Sequence, residues 1–148
     1  MSAFNILQEF NSNLLAIEDE LKTTGTTDDK NLNKLGKKIF GLKFVGVFSS
    51  NTILLLKTGQ MCIANTKSTH SHGEHWIALV KDRDNKIYFY DAFCRDYKKL
   101  SPYWTHKRWI NANKYVRNEA YVARNCGQLC MTWLLSFYNH GKKIFNIV

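Results

Sequence analysis

The stretch CGQLCMTWLLSF, residues 126–137, decides the fold because its apolar residues follow a helical period. They recur three, four, seven, eight and eleven positions after the first cysteine, as residues on one helix face do. They are Cys126, Leu129, Cys130, Trp133, Leu134 and Phe137. A face this wide and aromatic has to be buried. The sequence therefore predicts a central helix that begins at Cys126.

Two strand-like segments precede this helix and are joined by a turn. HWIALV (75–80) and KIYFYDAF (86–93) are rich in β-branched and aromatic residues, and KDRDN between them has a turn composition. A turn centred within KDRDN pairs residues whose numbers sum to about 167. That register places His75 opposite position 91 or 92, so Asp91 is expected within reach of the imidazole.

Cys126, His75 and Asp91 are the residue types of a nucleophile, a general base and an orienting acid. A carboxylate on one imidazole nitrogen fixes the tautomer and favours the imidazolium. A thiol at a helix N-terminus meets the positive end of the helix dipole, which favours the thiolate. Gly127 is expected to leave room beside the sulfur for a substrate backbone. The three residues together predict cysteine-protease chemistry.

Simpler interpretations compete with this prediction. A cysteine on an apolar helix face is usually a small buried hydrophobe, which is the expected role of Cys130. Cys62 and Cys94 have no assigned role. Zinc is an alternative because three histidines are closely spaced, although no paired CxxC accompanies them and no metal site is assigned. These histidines are His70, His72 and His75.

The N-terminal part of the chain has its own pattern. Apolar residues three and four positions apart, with Ser2 as an N-cap, predict an acidic amphipathic helix within residues 1–24. They are Leu7, Phe10, Leu14, Ile17 and Leu21. Residues 25–30 have a linker composition. We therefore expect one domain, with residues 31–148 as its body.

Charge is unevenly distributed along the chain. Residues 1–30 carry two basic and six acidic side chains, a net of −4, whereas residues 31–148 carry 19 basic and six acidic ones, a net of +13. A field of that sign attracts polyanions. DNA is therefore an expected partner, and a basic surface kept for solubility is the alternative.

The remaining segments give weaker patterns. Residues 32–41 predict a short helix that ends at Gly41, and residues 101–115, SPYWTHKRWINANKY, predict another. KFVGVFSS and TILLLKTGQMCIANT, within residues 43–66, predict further strands. No long apolar run is present, so we expect no membrane span. No secretory signal is present, so we expect a reducing compartment with free thiols rather than a disulfide framework.

In chain order these pieces resemble the adenovirus-type, adenain-like maturation proteases, a family that includes enzymes of virophages and Polinton-like elements. The resemblance is carried by GEHWIALVKDRDNKIYFYDAF and, 32 residues after its Phe93, by NCGQLCMTWLLSF. LGKKIFGLKFVGVFSS and CIANT resemble the family's upstream segments. The similarity runs from Leu32 to Tyr138.

The resemblance implies a fold, an activity and a location. The fold is α+β and papain-like with rearranged chain order, with a central helix packed on an antiparallel sheet. The activity is a cysteine endopeptidase that cleaves viral precursor and capsid proteins during particle maturation. His75 is then the base, Asp91 the acid and Cys126 the nucleophile. No cofactor is implied apart from DNA as a candidate activator, and the location is the virion, the host cytoplasm or a viral factory.

The sequence departs from the family at the oxyanion donor. The family has a glutamine several residues before the cysteine, whereas this chain reads VRNEAYVARNC there. Asn118 is the candidate donor, because an ionised Glu119 has no hydrogen to donate. Two other functions stay open at this point. They are a protease of the same clan that removes ubiquitin-like modifiers, and a non-catalytic nucleic-acid-binding particle protein.

Overall fold

The computed structural model describes residues 1–23, 25, 27–68, 75–113, 117–118 and 125–148. The helices are α1 (Ala3–Leu21), α2 (Asp29–Phe40) and α3 (Cys126–His140). The strands are β1 (Phe44–Phe48), β2 (Met61–Asn65), β3 (Trp76–Lys81), β4 (Ile87–Tyr90) and β5 (Ile110–Asn111). The predicted α+β class is confirmed. Within these residues, every helix is too short or too polar to cross a bilayer.

The strands form one sheet in the order β1-β2-β3-β4-β5. Its centre, β2-β3-β4, is antiparallel, whereas the outer pairs β1-β2 and β4-β5 are parallel. The expectation of a purely antiparallel sheet is therefore wrong at both edges. Parallel neighbours need a long connection that returns the chain to the same end of the sheet. The expected strand over TILLL belongs to such a connection, where Leu55 is exposed and Leu56 is buried.

Helix α3 lies against the sheet and forms the centre of the main core, as its apolar pattern predicted. Trp133 is fully buried and stacks on Tyr90 of β4 with ring centroids 5.0 Å apart. Packing of this kind holds the start of α3 in a fixed position relative to the β3-β4 hairpin. That position matters because α3 begins at Cys126.

Helix α1 packs on α3, so the acidic N-terminal helix is part of the core. The Ser2 hydroxyl caps it by accepting from the N–H of Asn5 at 3.2 Å, as predicted. The apolar stripe is displaced by one residue at its start: Ile6 is 2% exposed, whereas Leu7 is 41% exposed. The stripe otherwise runs through the buried Phe10.

The helix predicted over residues 101–115 is wrong. A single 3-10 turn, Pro102–Trp104, is followed by the short strand β5, and positions 114 and 115 lie outside the described residues. The reason is packing on the outer face of the sheet. Trp104 and Trp109 both contact the ring of Phe89 at centroid distances of 5.9 Å. Positions five residues apart on an α-helix point about 140° away from each other, so one helix could not present both rings to Phe89.

Candidate active site

His75 and Asp91 lie at the open end of the β3-β4 hairpin and are in contact. His75 directly precedes β3, Asp91 directly follows β4, and His75 Nε2 is hydrogen-bonded to Asp91 Oδ1. The numbers of the paired residues add up to 168, as for Ala78 opposite Tyr90, whereas the sequence predicted a sum of about 167. If this register is continued past the ends of the two strands, His75 lies opposite Phe93. The ring centroids of these two residues are 5.3 Å apart. Asp91, two residues earlier, shares that face.

Asp91 is fully buried and is held from several sides. Arg95 donates to Oδ2 through Nε at 2.8 Å and through its backbone N–H at 3.0 Å. Asn113 Nδ2 donates to the Asp91 carbonyl at 2.5 Å. Burial acts to raise the pKa of Asp91, but the hydrogen bonds from His75 and Arg95 outweigh it and hold the pKa at about 2. The carboxylate is therefore ionised at neutral pH.

Cys126 is the first residue of α3 and contacts the chain directly after His75. Its Sγ accepts a hydrogen bond from the N–H of Trp76 at 3.5 Å. The thiol side chain is nearly buried, and the residue as a whole is 7% exposed. His75 uses Nε2 for its bond to Asp91, so Nδ1 is the imidazole nitrogen that Asp91 does not engage. The structure thus brings the three predicted residues into one cluster.

The other three cysteines have different surroundings. Cys130 Sγ donates to the carbonyl of Trp76 at 3.3 Å. Cys62 is fully buried in β2, and burial raises the pKa of its thiol to about 12. Cys94 donates to the carbonyl of Asn113. All four cysteines are thiols, as expected.

The space beside Gly127 is occupied by the chain itself. A methyl group at this glycine would lie 2.7 Å from Thr27 Cγ2 and 3.3 Å from both methyl carbons of Leu32. The expectation that Gly127 leaves room for a substrate backbone is therefore wrong. The glycine instead lets the connection between α1 and α2 pass over the start of α3. Only a residue without a side chain fits this close approach.

Gln128 anchors that connection, a role that the sequence analysis missed. Its Nε2 donates to the carbonyl of Thr23 at 3.1 Å and to that of Gly25 at 2.7 Å. The indole N–H of Trp76 adds a bond to the carbonyl of Thr27 at 3.3 Å. The sequence pattern gave no signal for this role, because Gln128 lies on the side of α3 opposite the apolar stripe, where a polar residue is expected to face solvent.

Asn118, the predicted oxyanion donor, is half-buried and fixed at the same end of the hairpin. Its backbone N–H donates to the Ala92 carbonyl at 2.9 Å, and its Oδ1 accepts from the Tyr90 hydroxyl at 2.8 Å. The bond to Tyr90 orients the side-chain amide and leaves Nδ2 as its donor atom. Glu119 lies outside the described residues.

A cleft of about 460 Å³ lies beside His75. Its charged lining residues are Lys67, Arg95 and Lys99. Leu100, Pro102 and Tyr103 form an apolar wall, and Ser50, Thr66, Ser68 and Ser101 add hydroxyl groups. The volume is in the range that binds a small ligand or a few residues of a peptide.

The metal alternative depends on residues that the structure does not describe. Of the three closely spaced histidines, His70 and His72 lie outside the described residues. Within the described ranges, no group of three or more histidine, cysteine and acidic side chains could hold a metal ion.

No family model matches the chain, and no curated protein matches its sequence significantly. The class that can be stated is therefore an α+β domain with a clustered cysteine, histidine and aspartate. Its function has to be inferred from the geometry of these residues.

Proposed function

We propose that this protein is a cysteine endopeptidase with Cys126 as nucleophile, His75 as general base and Asp91 as the orienting acid. One observation carries the proposal: the Asp91–His75 pair is joined to the Cys126 thiol through Trp76, whose N–H donates to the sulfur. A buried histidine–carboxylate pair at a helix-start thiol supplies all three roles of a nucleophilic triad.

The chemistry follows from these positions. His75 takes the thiol proton, and the Cys126 sulfur attacks the scissile carbonyl carbon, forming a tetrahedral oxyanion. The N–H of Cys126 and the side-chain amide of Asn118 are the proposed donors to this oxyanion. His75 then gives its proton to the leaving amine, and water hydrolyses the resulting thioester. Asp91 stays ionised throughout, because its pKa of about 2 lies far below neutral pH.

Processing of viral precursor and capsid proteins is the proposed biological role. Its support is the resemblance to adenovirus-type maturation proteases at the hairpin and the cysteine helix, together with the helix-on-sheet packing of α3. The papain-like fold with rearranged chain order belongs to the same proposal. A location in the virion, the host cytoplasm or a viral factory follows from that role.

DNA is the proposed partner or activator, because residues 31–148 carry a net charge of +13. Binding through such charge weakens steeply with salt. The non-catalytic nucleic-acid-binding alternative makes the same prediction for DNA but predicts no cleavage. The ubiquitin-like-modifier protease alternative predicts cleavage of a folded fusion in preference to unfolded peptides.

The test is digestion of a proteome-derived peptide library, read by mass spectrometry, with and without added DNA. Wild-type protein should produce new peptide ends, and Cys126→Ala should produce none under the same conditions. Cys62→Ala serves as the matched control, because Cys62 is buried in β2. Cleavage that persists in Cys126→Ala, or its absence in both proteins with and without DNA, would overturn the proposal.

A further inference from the structure

The carboxylate of Asp91 has two charged partners among the residues that the structure describes. His75 is hydrogen-bonded to Oδ1, whereas Arg95 reaches both oxygens: its Nε donates to Oδ2 at 2.8 Å and its Nη2 to Oδ1 at 3.3 Å. Such a two-point contact between a guanidinium and a carboxylate fixes the plane of the carboxylate as well as its charge. Arg95 therefore bears on the direction in which Asp91 faces His75.

A short turn after β4 places Arg95 in this position. The backbone N–H of Cys94 donates to the Asp91 carbonyl at 2.8 Å, and Cys94 adopts a left-handed φ of +63°. The next N–H along the chain, that of Arg95, then donates to Asp91 Oδ2 at 3.0 Å. The backbone and the side chain of Arg95 thus contact the same carboxylate from within one turn.

Burial divides this ion pair unevenly. The Asp91 side chain is fully buried, whereas the Arg95 side chain is 43% exposed and lines the cleft beside His75. A fully buried carboxylate is unfavourable unless a cation is paired with it. A guanidinium is charged at every accessible pH, and a half-exposed one keeps part of its hydration. Arg95 is therefore a permanent counter-ion with a small desolvation cost of its own.

His75 cannot fill the same role, because its charge changes during the proposed reaction. As the general base it is neutral before it takes the thiol proton, and neutral again after it has protonated the leaving amine. Without Arg95, Asp91 would be an isolated buried anion at those two stages. The carboxylate would then take up a proton or turn away from the imidazole, and either change removes its orienting action.

We propose that Arg95 is a positioning residue of the active site, which keeps Asp91 charged and aimed at Nε2 of His75 while the imidazole is neutral. The inference rests on the proposed endopeptidase mechanism and adds to it a residue that acts only through Asp91. Ionisable side chains on the neighbouring segments belong to Cys94, Cys126 and Arg117. They are present in all the variants compared below, so they do not account for a difference between them.

The central experiment is a double-mutant cycle on a peptide that the wild-type protein cleaves. Arg95→Gln should lower kcat roughly ten- to 100-fold and change KM less than about twofold, because Asp91 acts on the base and not on substrate binding. In the Asp91→Asn background, Arg95→Gln should change kcat by less than about threefold, since the residue through which Arg95 acts is already gone. Equal losses in both backgrounds would overturn the positioning role. A loss confined to KM would also overturn it, because Arg95 would then bind substrate instead.

Arg95→Lys tests the importance of the permanent charge. A lysine keeps the positive charge but cannot make the two-point contact, so its kcat should lie at least about threefold above that of Arg95→Gln and below that of wild type. Arg83→Gln is the matched control, because Arg83 is exposed in the turn at the opposite end of the same hairpin. It should keep the wild-type kcat. An Arg95→Lys variant as slow as Arg95→Gln would contradict the role of the charge.

The pH profile gives a readout that a purely structural role would not move. Burial acts to raise the pKa of Asp91, and Arg95 is one of the two residues that counteract it. Removing the guanidinium therefore raises the pH at which Asp91 takes up a proton. The acid limb of kcat/KM should move to higher pH by about one pH unit in Arg95→Gln and should stay in place in Arg83→Gln. An unmoved acid limb in Arg95→Gln would contradict the proposal.

The design also separates failure of this role from failure of the protease proposal. If Arg95→Gln does not fold, as judged by circular dichroism, Arg95→Lys replaces it in the cycle, and a loss of kcat that persists in Asp91→Asn would overturn the role. If no peptide is cleaved, the protease proposal fails, and the same variants are compared by the alkylation rate of Cys126 with iodoacetamide. The pH dependence of this rate should still shift in Arg95→Gln and not in Arg83→Gln. An unshifted dependence would overturn the positioning role as well.

Discussion

The first and second turns of α3 present two cysteines to the same residue in opposite ways. Cys126 Sγ accepts from the N–H of Trp76, whereas Cys130 Sγ donates to the carbonyl of Trp76. An acceptor role suits a thiolate, and a donor role requires the proton. The helix dipole acts in the same direction, since its effect is confined to the first turn. These hydrogen bonds thus favour Cys126 over Cys130 as the proposed nucleophile.

The largest expected effect is on activity. Cys126→Ser should lower kcat/KM by about four orders of magnitude or more, because a hydroxyl is a poor nucleophile in a site built for a thiolate. Cys130→Ala should keep activity within about tenfold while costing about 1 kcal/mol of unfolding free energy, from a lost hydrogen bond and a small void. Peptide cleavage and denaturant unfolding measure the two quantities. Similar losses of activity in both variants would contradict the different roles proposed for Cys126 and Cys130.

The next-largest effect on activity is expected when Asp91, the proposed orienting acid, is replaced. Asp91→Asn should reduce kcat/KM by about 10²–10⁴-fold, because the amide no longer fixes the imidazole tautomer; the analogous change in a serine triad costs about 10⁴-fold. Cleavage assays on the same peptide measure it. Asp19→Asn is the matched control, since Asp19 is exposed on α1. Activity retained in Asp91→Asn would remove Asp91 from the site.

The lowered pKa of Asp91 also predicts that the free energy of unfolding depends on pH. Its pKa is lowered from 3.8 to about 2 on folding, so its contribution is fully present above about pH 4 and is lost as pH falls towards 2. The shift corresponds to about 2 kcal/mol. Denaturant unfolding of wild type and Asp91→Asn should therefore differ most near neutral pH and converge towards pH 2. A difference that does not vary with pH would contradict the ionised pair.

The last prediction concerns the connection between α1 and α2 that passes over the first turn of α3. Gly127→Ala should cost about 1–3 kcal/mol of unfolding free energy, because the added methyl group lies 2.7 Å from Thr27 Cγ2. Gly25→Ala is the control, since its methyl group would meet Thr23 Oγ1 at an ordinary 3.7 Å. Thermal or denaturant unfolding compares the two. Equal stability of both variants would mean that the connection does not pack on α3 as described.

The sequence predicted features that depend on local pattern. Helix α3 follows from its period, and the His75–Asp91 contact follows from a short turn even though the register was one residue off. The supporting contacts were missed because they depend on turn geometry or on residues distant in sequence, such as Asn113. Arg95 returns to Asp91 through a turn in which Cys94 has φ +63°, a conformation that the sequence pattern does not reveal.

Packing against distant residues explains the remaining errors. The connection over Gly127 involves residues about 100 positions away, and their bonds to Gln128 have no local signature. The helix predicted over 101–115 failed because Trp104 and Trp109 pack on the sheet rather than on one helix face. Periodicity alone does not show which surface an aromatic residue will cover.

The most direct test of the contrast between the two turns of α3 is the alkylation rate of each cysteine near neutral pH, read by mass spectrometry with iodoacetamide. Cys126 should react at least about tenfold faster than Cys62, Cys94 and Cys130, and His75→Ala should remove that difference. Equal rates for all four thiols in the folded wild-type protein would contradict the assignment of Cys126 as an activated nucleophile.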